Sequence, residues 1–225
     1  MENQHEERVS QIASRLLNIR SFVPANVRIV AVTKGRSPEW VVAALECGIV
    51  DFGENYSDEL LMKNREVTKM LDAFDLPAPR WHYLGKLQSN KIPRLAGIIS
   101  WWQTLDRSKT ASSLARHTPD AKVLLQVRTN NDPERPGVAP EALGPLLDHA
   151  RSIGVDVQGL MCVAQPKATG PEEDFAMLAR LADIHGLPER SMGMSQDYDV
   201  AVRYGATMLR LGRIIFDPEI STTKH

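Results

Sequence analysis

The chain has 225 residues, of which 43% are hydrophobic and 24% are charged, a composition typical of a folded globular protein. The formal net charge is −1, so overall charge gives no reason to expect a nucleic acid or an acidic membrane as partner. The N-terminus is polar and no run of about 18 apolar residues occurs, so we expect neither a signal peptide nor a membrane span.

The cysteines and histidines do not form a pattern that binds metal or builds a disulfide framework. Cys47 and Cys162 lie far apart in the sequence, and neither has the spacing of a metal ligand. The six histidines form no H-x-x-x-H pair. We therefore expect no metal site, reduced cysteines and a cytoplasmic location.

The first predicted elements are a helix, a strand and a second helix. A stripe of apolar residues at helical spacing predicts an amphipathic helix over the first twenty residues. The apolar run Arg28–Val32 is typical of a strand that is buried on both faces. Ser37 is placed to cap the next helix, Pro38 suits its first position, and Gly48 suits its end.

Strands and helices then alternate to the end of the chain. Eight strands are predicted, at Arg28–Val32, Ile49–Phe52, Trp81–Leu84, Ile98–Trp101, Lys122–Val127, Val155–Leu160, Ser191–Gly193 and Met208–Leu211. A helix is predicted between each pair, which favours parallel strands with right-handed crossovers. The sequence therefore predicts an α/β fold, a (β/α)8 TIM barrel with an extra N-terminal helix, as one domain over residues 1–225.

Lys34 is the first residue with possible chemistry at a predicted strand end, where barrels carry their functional groups. Most loop lysines are simply solvated. In a barrel mouth, however, desolvation and a nearby cation would lower the pKa of Lys34 and free its amine to form a Schiff base.

The ends of the second and third strands carry further polar groups. Asn55 has the chemistry to hydrogen-bond a ring hydroxyl and Glu54 to hold a cation, although Gly-Glu-Asn is also ordinary turn chemistry. His82 lies beside aromatic residues, which is more often the setting of a satisfied core histidine than of a functional one.

The loops after strands seven and eight form the last candidate site. Barrels often bind phosphate there, and the hydroxyls and glycines of Ser191–Ser195 and Gly212 suit that task. A capped helix and a tight turn would explain the same residues. Arg210 shares strand parity with Met208 and Gly212, so we expect it to point inward, where it needs a partner such as a ligand.

Taken together, these segments resemble the pyridoxal phosphate homeostasis proteins, a family of pyridoxal 5′-phosphate (PLP) binding barrels. The matching segments are AVTKGRSPE (31–39), DFGENY (51–56), WHYLGKLQSNK (81–91), GLMCV (159–163) and SMGMSQDYDVAVRYGATMLRLGRIIF (191–216). They run from the first predicted strand to the last, so the resemblance covers essentially the whole barrel.

The resemblance implies a barrel like that of alanine racemase without its second, β-rich domain. It assigns the cofactor lysine to Lys34 and the asparagine of the GEN motif to Asn55. It places Arg210 near the pyridine nitrogen, which an arginine would keep unprotonated, and the phosphate near Ser191, Ser195 and Gly212. Arg213 departs from the family, in which a small or hydroxyl residue usually follows the glycine.

The function implied is that of a PLP carrier without strong catalytic activity and with no catalytic residue to assign. Such a protein would limit free PLP and pass it to PLP-dependent apo-enzymes, as a monomer or weak dimer. The alternatives are a PLP-dependent racemase or decarboxylase of low activity, a cofactor-free Schiff-base aldolase that uses Lys34, and an interaction scaffold. Racemisation needs acid–base groups on both faces of the substrate carbon, and Lys34 serves only one.

Overall fold

The computed structural model describes residues 2–129, 134–165 and 170–217. Eight parallel strands pair in chain order and close into a barrel in which β8 pairs with β1. The strands are β1 Arg28–Val32, β2 Asp51–Glu54, β3 Arg80–Tyr83, β4 Ile99–Leu105, β5 Lys122–Gln126, β6 Asp156–Met161, β7 Glu189–Ser191 and β8 Met208–Leu211. The predicted (β/α)8 barrel is therefore confirmed.

Helices follow the strands and surround the barrel. They are α1 Glu2–Arg20, α2 Pro38–Glu46, α3 Ser57–Phe74, α4 Ile92–Leu95, α5 Ser108–His117, α6 Leu143–Ser152, α7 Glu172–Ile184, α8 Tyr198–Arg203 and α9 Arg213–Phe216. A 3-10 turn, Pro140–Ala142, precedes α6. Each crossover places a helix on the outside of the sheet, which buries the outer face of the strands.

Among the described residues, buried apolar side chains form two separate regions. The larger lies between the strands and the helices and includes Phe52, Trp102 and Phe175. The smaller lies inside the barrel and consists of Trp101, Leu124, Met161 and Met208. The inside of the barrel is therefore filled with side chains, as is usual for this fold, and a ligand has room only at an end.

Helix α1 completes the wall of the barrel. The Gln11 amide donates to the Phe216 carbonyl at 2.9 Å and the Arg15 guanidinium donates to the Ile214 carbonyl at 2.9 Å. These bonds join the N-terminal helix to α9 at the other end of the described chain. The predicted extra N-terminal helix is confirmed, and its packing partner is α9.

Local differences from the sequence-based elements have simple causes. Pro38 begins α2 and Gly48 ends the turn after it at φ 82°, as predicted, but the Ser37 side chain makes no capping hydrogen bond. Helix α9 was not predicted, because a four-residue segment directly after a strand is too short to show a helical period.

Within the described ranges, every helix is too short or too polar to cross a bilayer.

Candidate functional site

A cavity of about 280 Å³ opens at the carboxyl ends of the strands. It lies among the ends of β1, β2, β6 and β8 and the loops that follow β3 and β7. Its described lining residues are Val32, Lys34, Asn55, Leu84, Met161, Val163, Met194, Ser195, Gln196, Arg210, Gly212 and Arg213. This is the end of a (β/α)8 barrel at which functional sites are built.

The cavity brings together residues that are far apart in the sequence. Of the six candidate ligand-binding residues, five line it: Lys34, Asn55, Ser195, Arg210 and Gly212. The sixth, Ser191, is fully buried and lies outside the lining, where its hydroxyl accepts a hydrogen bond from Arg210. Ser191 thus contacts a cavity residue instead of facing the cavity itself.

Larger clefts of about 620 Å³ occur elsewhere on the surface. One lies around Arg28, Asp51 and Arg80, at the amino-terminal end of the barrel, and another lies between α1 and α3, beside Phe74. Neither receives the residues that follow the carboxyl ends of the strands. Size alone therefore does not identify the site.

The loop that carries Lys34 is held by its backbone and leaves the side chain exposed. Lys63 donates from Nζ to the Thr33 carbonyl at 2.7 Å, and the Gly35 amide donates to Glu59 Oε1 at 2.6 Å. These two bonds fix the peptide groups on either side of Lys34. In the described part of the chain, no residue hydrogen-bonds or ion-pairs with the Lys34 amine.

A buried ion pair lies beneath this loop. Lys63 and Glu54 are both fully buried, and Lys63 Nζ donates to Glu54 Oε1 at 2.5 Å. The Thr33 hydroxyl donates to the same oxygen at 2.6 Å. Burial raises the pKa of Glu54 even though the bonds from Lys63 and Thr33 oppose the rise. The cation held by Glu54 is therefore Lys63, which the sequence reasoning had not identified.

Arg210 has the inward orientation that its strand parity predicted. It is 5% exposed, and its two Nη atoms donate to Ser191 Oγ at 2.8 Å and to the Cys162 carbonyl at 2.7 Å. Burial lowers the pKa of Arg210, but a guanidinium starts so high that it stays charged at neutral pH. A fixed positive charge therefore lies at the floor of the cavity.

The loop after β7 supplies a hydroxyl group. Ser195 Oγ accepts a hydrogen bond from the Ile214 amide at 3.2 Å, which ties this loop to α9. A hydroxyl that accepts through oxygen keeps its own proton free to donate. Gly193 begins the loop at φ 91°, where an added Cβ would lie 2.5 Å from Ala201 Cβ, so only glycine fits.

The chemistry of the lining is cationic. Among the described lining residues, Lys34, Arg210 and Arg213 are basic, and none is an aspartate, glutamate, histidine or tyrosine. Cys162 lies next to Arg210, but burial raises the pKa of its thiol to about 12, so it is neutral and unreactive at neutral pH. The cavity suits an anionic ligand that reacts with a primary amine.

Comparison with known proteins gives matches over most of the chain. Residues 8–218 match the family described as "Alanine racemase, N-terminal domain". A pyridoxal phosphate homeostasis protein of Pseudomonas aeruginosa is 33% identical over 93% of this chain and 94% of its own. The chain therefore belongs to the pyridoxal phosphate homeostasis proteins.

Two further relatives match over most of their length. The pyridoxal phosphate homeostasis protein of Deinococcus radiodurans is 37% identical over 84% of this chain and 88% of its own. PipY of Synechococcus elongatus, solved with PLP bound, is 34% identical, with a TM-score of 0.79 over 91% of this chain and 99% of that one. The likeness therefore extends over nearly the full barrel.

Proposed function

We propose that this pyridoxal phosphate homeostasis protein binds PLP in the cavity, as a Schiff base on Lys34, and holds it without strong catalytic activity. The observation that carries the proposal is the convergence of Lys34, Ser195, Arg210 and Gly212 on one cavity whose described lining has no carboxylate. PLP bears an aldehyde, a phosphate and a pyridine ring, and each has a suitable group there.

Lys34 is the amine that would react with the aldehyde. Its backbone is held on both sides, while its side chain is exposed and has no partner in the described chain. The amine nitrogen would attack the aldehyde carbon, a C=N bond would form and water would leave. Among the described residues, no ion pair with Lys34 has to be broken first.

The phosphate would lie against Ser195 and Gly212. The Ser195 hydroxyl proton is free to donate because its oxygen already accepts from the Ile214 amide. An added Cβ on Gly212 would lie 3.1 Å from the Val32 carbonyl oxygen, so the chain runs unusually close to β1 there. Because Gly212 has no side chain, its backbone stays accessible from the cavity that it lines.

Arg210 would face the ring nitrogen, with Asn55 at the ring hydroxyl. When bound, PLP acts as an electron sink, most strongly with its pyridine nitrogen protonated. Arg210 is only a donor, so it has no proton acceptor to offer and favours the unprotonated nitrogen. This favours holding the cofactor over activating it.

The described part of the lining also lacks a partner for Lys34 in proton transfer. Racemisation needs groups on both faces of the substrate carbon. In the described lining, the ionisable side chains besides Lys34 are Arg210 and Arg213, and guanidinium groups do not exchange protons at neutral pH. We therefore propose storage of PLP and its delivery to apo-enzymes through the open mouth, by a monomer or weak dimer.

The test is to record the visible spectrum of the purified protein with PLP, reduce it with borohydride and map the modified peptide. We expect a yellow protein whose pyridoxyl group lies on Lys34. Lys34→Ala should lose the visible band and remain folded. Lys86→Ala removes an exposed lysine from the same end of the barrel but outside the cavity lining, so it should keep the band.

Three results would contradict the proposal. An adduct on another lysine would move the site, and a colourless wild-type protein that turns over a sugar or keto acid would indicate an aldolase. Turnover of an amino acid by the wild type at rates usual for enzymes, lost in Lys34→Ala, would make the protein a PLP enzyme.

A further inference from the structure

A row of buried polar side chains runs through the barrel beneath the cavity. Its members, from the opposite end of the barrel to the cavity, are Asp51, His82, Gln103, Ser191 and Arg210, each 5% exposed or less. They share the interior with apolar residues such as Trp101 and Met208. Buried polar groups are costly unless they are hydrogen-bonded, so the row must be paired.

Consecutive members of the row are joined by short hydrogen bonds. Arg210 Nη1 donates to Ser191 Oγ at 2.8 Å, and Ser191 Oγ donates to Gln103 Oε1 at 2.6 Å. Gln103 Nε2 lies 2.8 Å from His82 Nδ1, and His82 Nε2 lies 2.8 Å from Asp51 Oδ1. The second amide proton of Gln103 faces Met208 Sδ, 3.8 Å from Nε2.

The two ends of the row decide the direction of every bond. Arg210 is only a donor and an ionised Asp51 is only an acceptor. Because Ser191 accepts from Arg210, its proton goes to Gln103 Oε1, and the Gln103 amide must then donate to His82 Nδ1. His82 therefore carries its proton on Nε2 and donates it to Asp51. All four donors point away from the cavity.

The charge states of the members agree with this direction. Burial lowers the pKa of His82 and outweighs the opposing bond to Asp51, so the ring is neutral at neutral pH. Burial alone would raise the pKa of Asp51, but hydrogen bonds from His82 and Arg80 outweigh it and the pKa is lowered. Arg80 anchors this end by donating to both Asp51 oxygens, at 3.1 and 2.7 Å.

We infer that Ser191, Gln103 and His82 are positioning residues for Arg210, an inference that rests on the proposed function. The directed row holds one Nη of Arg210 from below while the Cys162 carbonyl holds the other. Bonds in such a row strengthen one another by polarisation. Without its bond to Gln103, the Ser191 hydroxyl is free to rotate, and Arg210 then loses a fixed acceptor and can tilt. Groups that never touch the cofactor thereby set the cation that faces its ring.

The test uses two substitutions of Gln103 with nearly the same shape. Gln103→Met removes both hydrogen-bonding atoms. Gln103→Glu keeps an acceptor for Ser191 and offers a second acceptor to His82, which then takes a proton on Nδ1 and pairs with both carboxylates. Thr118→Val is the control, since it removes another buried hydrogen bond, from Oγ1 to the Leu114 carbonyl at 3.0 Å, outside the row.

We expect Gln103→Met to bind PLP about tenfold more weakly, the effect of losing one hydrogen bond to a charged group. The pH titration of its visible band should also shift. Gln103→Glu should have the PLP affinity and the pH titration of the wild type. Thr118→Val should also keep both, although it lowers the melting temperature. Equal losses in Gln103→Met and Gln103→Glu, or a wild-type affinity and titration in Gln103→Met, would overturn the inference.

A second measurement needs no cofactor. Nitrogen-15 NMR of the ligand-free protein should show His82 as the neutral Nε2–H tautomer in the wild type and as a doubly protonated ring in Gln103→Glu. The Nδ1–H tautomer in the wild type would overturn the row. If the wild type failed to bind PLP on Lys34, the proposed function would fail while this measurement still tested the row.

Discussion

Three basic side chains meet at the cavity, and their surroundings differ. Arg210 is buried and fixed by two hydrogen bonds, whereas Lys34 and Arg213 are exposed. A buried charge is screened much less than an exposed one, which water and salt weaken. We therefore propose that Arg210 orients the ligand and that Arg213 adds a weaker, salt-dependent attraction for its phosphate.

Replacing Arg213 should test this division of roles. We expect Arg213→Ser to weaken PLP binding roughly two- to fivefold at low salt, as is typical of an exposed charge pair. The difference from wild type should shrink in high salt and should vanish for pyridoxal, which has no phosphate. Absorbance titrations at two salt concentrations with both ligands measure this.

An exposed arginine on the outer ring provides the control. Arg65 lies in α3 with its side chain 72% exposed and is not among the residues that line the cavity. Arg65→Ser removes the same charge, so it should leave PLP affinity unchanged. If both variants lost affinity equally, net charge and not the position of Arg213 would be responsible.

The sequence predicted the cavity residues that follow strand ends but missed some of the residues that support them, Lys63 and Gln103 among them. Lys34, Asn55 and Gly212 lie one or two residues after the end of a strand, and strand-end position is visible in a sequence. Lys63 was missed because a lysine on a helix is expected to be solvated, and its pairing with Glu54 depends on the packing of α3.

Gln103 lies in β4, two residues beyond the strand end predicted at Trp101, so the sequence reasoning did not consider it. A polar side chain in a strand buried on both faces needs a buried partner. The partner itself is not visible in the sequence, because His82 and Ser191 are brought to it only when the barrel closes.

At the scale of elements, the alternation of strands and helices was predictable, and the exact ends were less so. Strand β2 was predicted at Ile49–Phe52 and lies at Asp51–Glu54. The apolar pattern includes Ile49 because its side chain is buried in the core, although its backbone has not yet joined the sheet. Burial and strand pairing overlap but are different properties.

Neighbouring strand ends are packed so closely that one glycine couples them. A Cβ on Gly85, after β3, would lie 1.9 Å from the backbone oxygen of Asn55, after β2. Gly85→Ala therefore forces the backbone of Asn55 to move. We expect it to lower the free energy of unfolding by about 1–3 kcal/mol, as overpacking does, and to weaken PLP binding. Urea unfolding and a PLP titration measure the two effects.

The same substitution elsewhere should have the opposite sign. Gly144 lies in α6, and an added Cβ would meet only His185 Cε1 at 3.6 Å, an ordinary contact. Gly144→Ala should stabilise the protein by about 0.5–1 kcal/mol through helix propensity and should leave PLP binding unchanged. Loss of stability in Gly144→Ala, or none in Gly85→Ala, would contradict the packing argument.

At the scale of the whole molecule, the buried row makes the stability of the barrel depend on pH. It joins β2, β3, β4, β7 and β8, so its members become solvated only when the barrel opens. Unfolding restores His82 to an ordinary pKa of about 6.5 and Asp51 to one of about 3.9. Both pKa values are lower in the folded protein, for which reason acid favours unfolding in two separate windows.

The His82 window lies in the range where proteins are usually handled. Below about pH 6.5 His82 binds a proton in the unfolded chain but not in the folded one. The free energy of unfolding therefore falls by up to about 1.4 kcal/mol for each unit that the pH is lowered. The loss of stability from Asp51 begins only near pH 4.

Replacing His82 tests this pH dependence. In His82→Gln the amide keeps a donor for Asp51 and an acceptor for Gln103 but does not titrate. The difference in free energy of unfolding between pH 7 and pH 5, measured in urea, should therefore be smaller than in wild type by up to about 2 kcal/mol. His117→Gln, at an exposed position in α5, should keep the wild-type difference. An equal pH dependence in His82→Gln and wild type would mean that His82 titrates in the folded barrel, and the direction of the row would then be wrong.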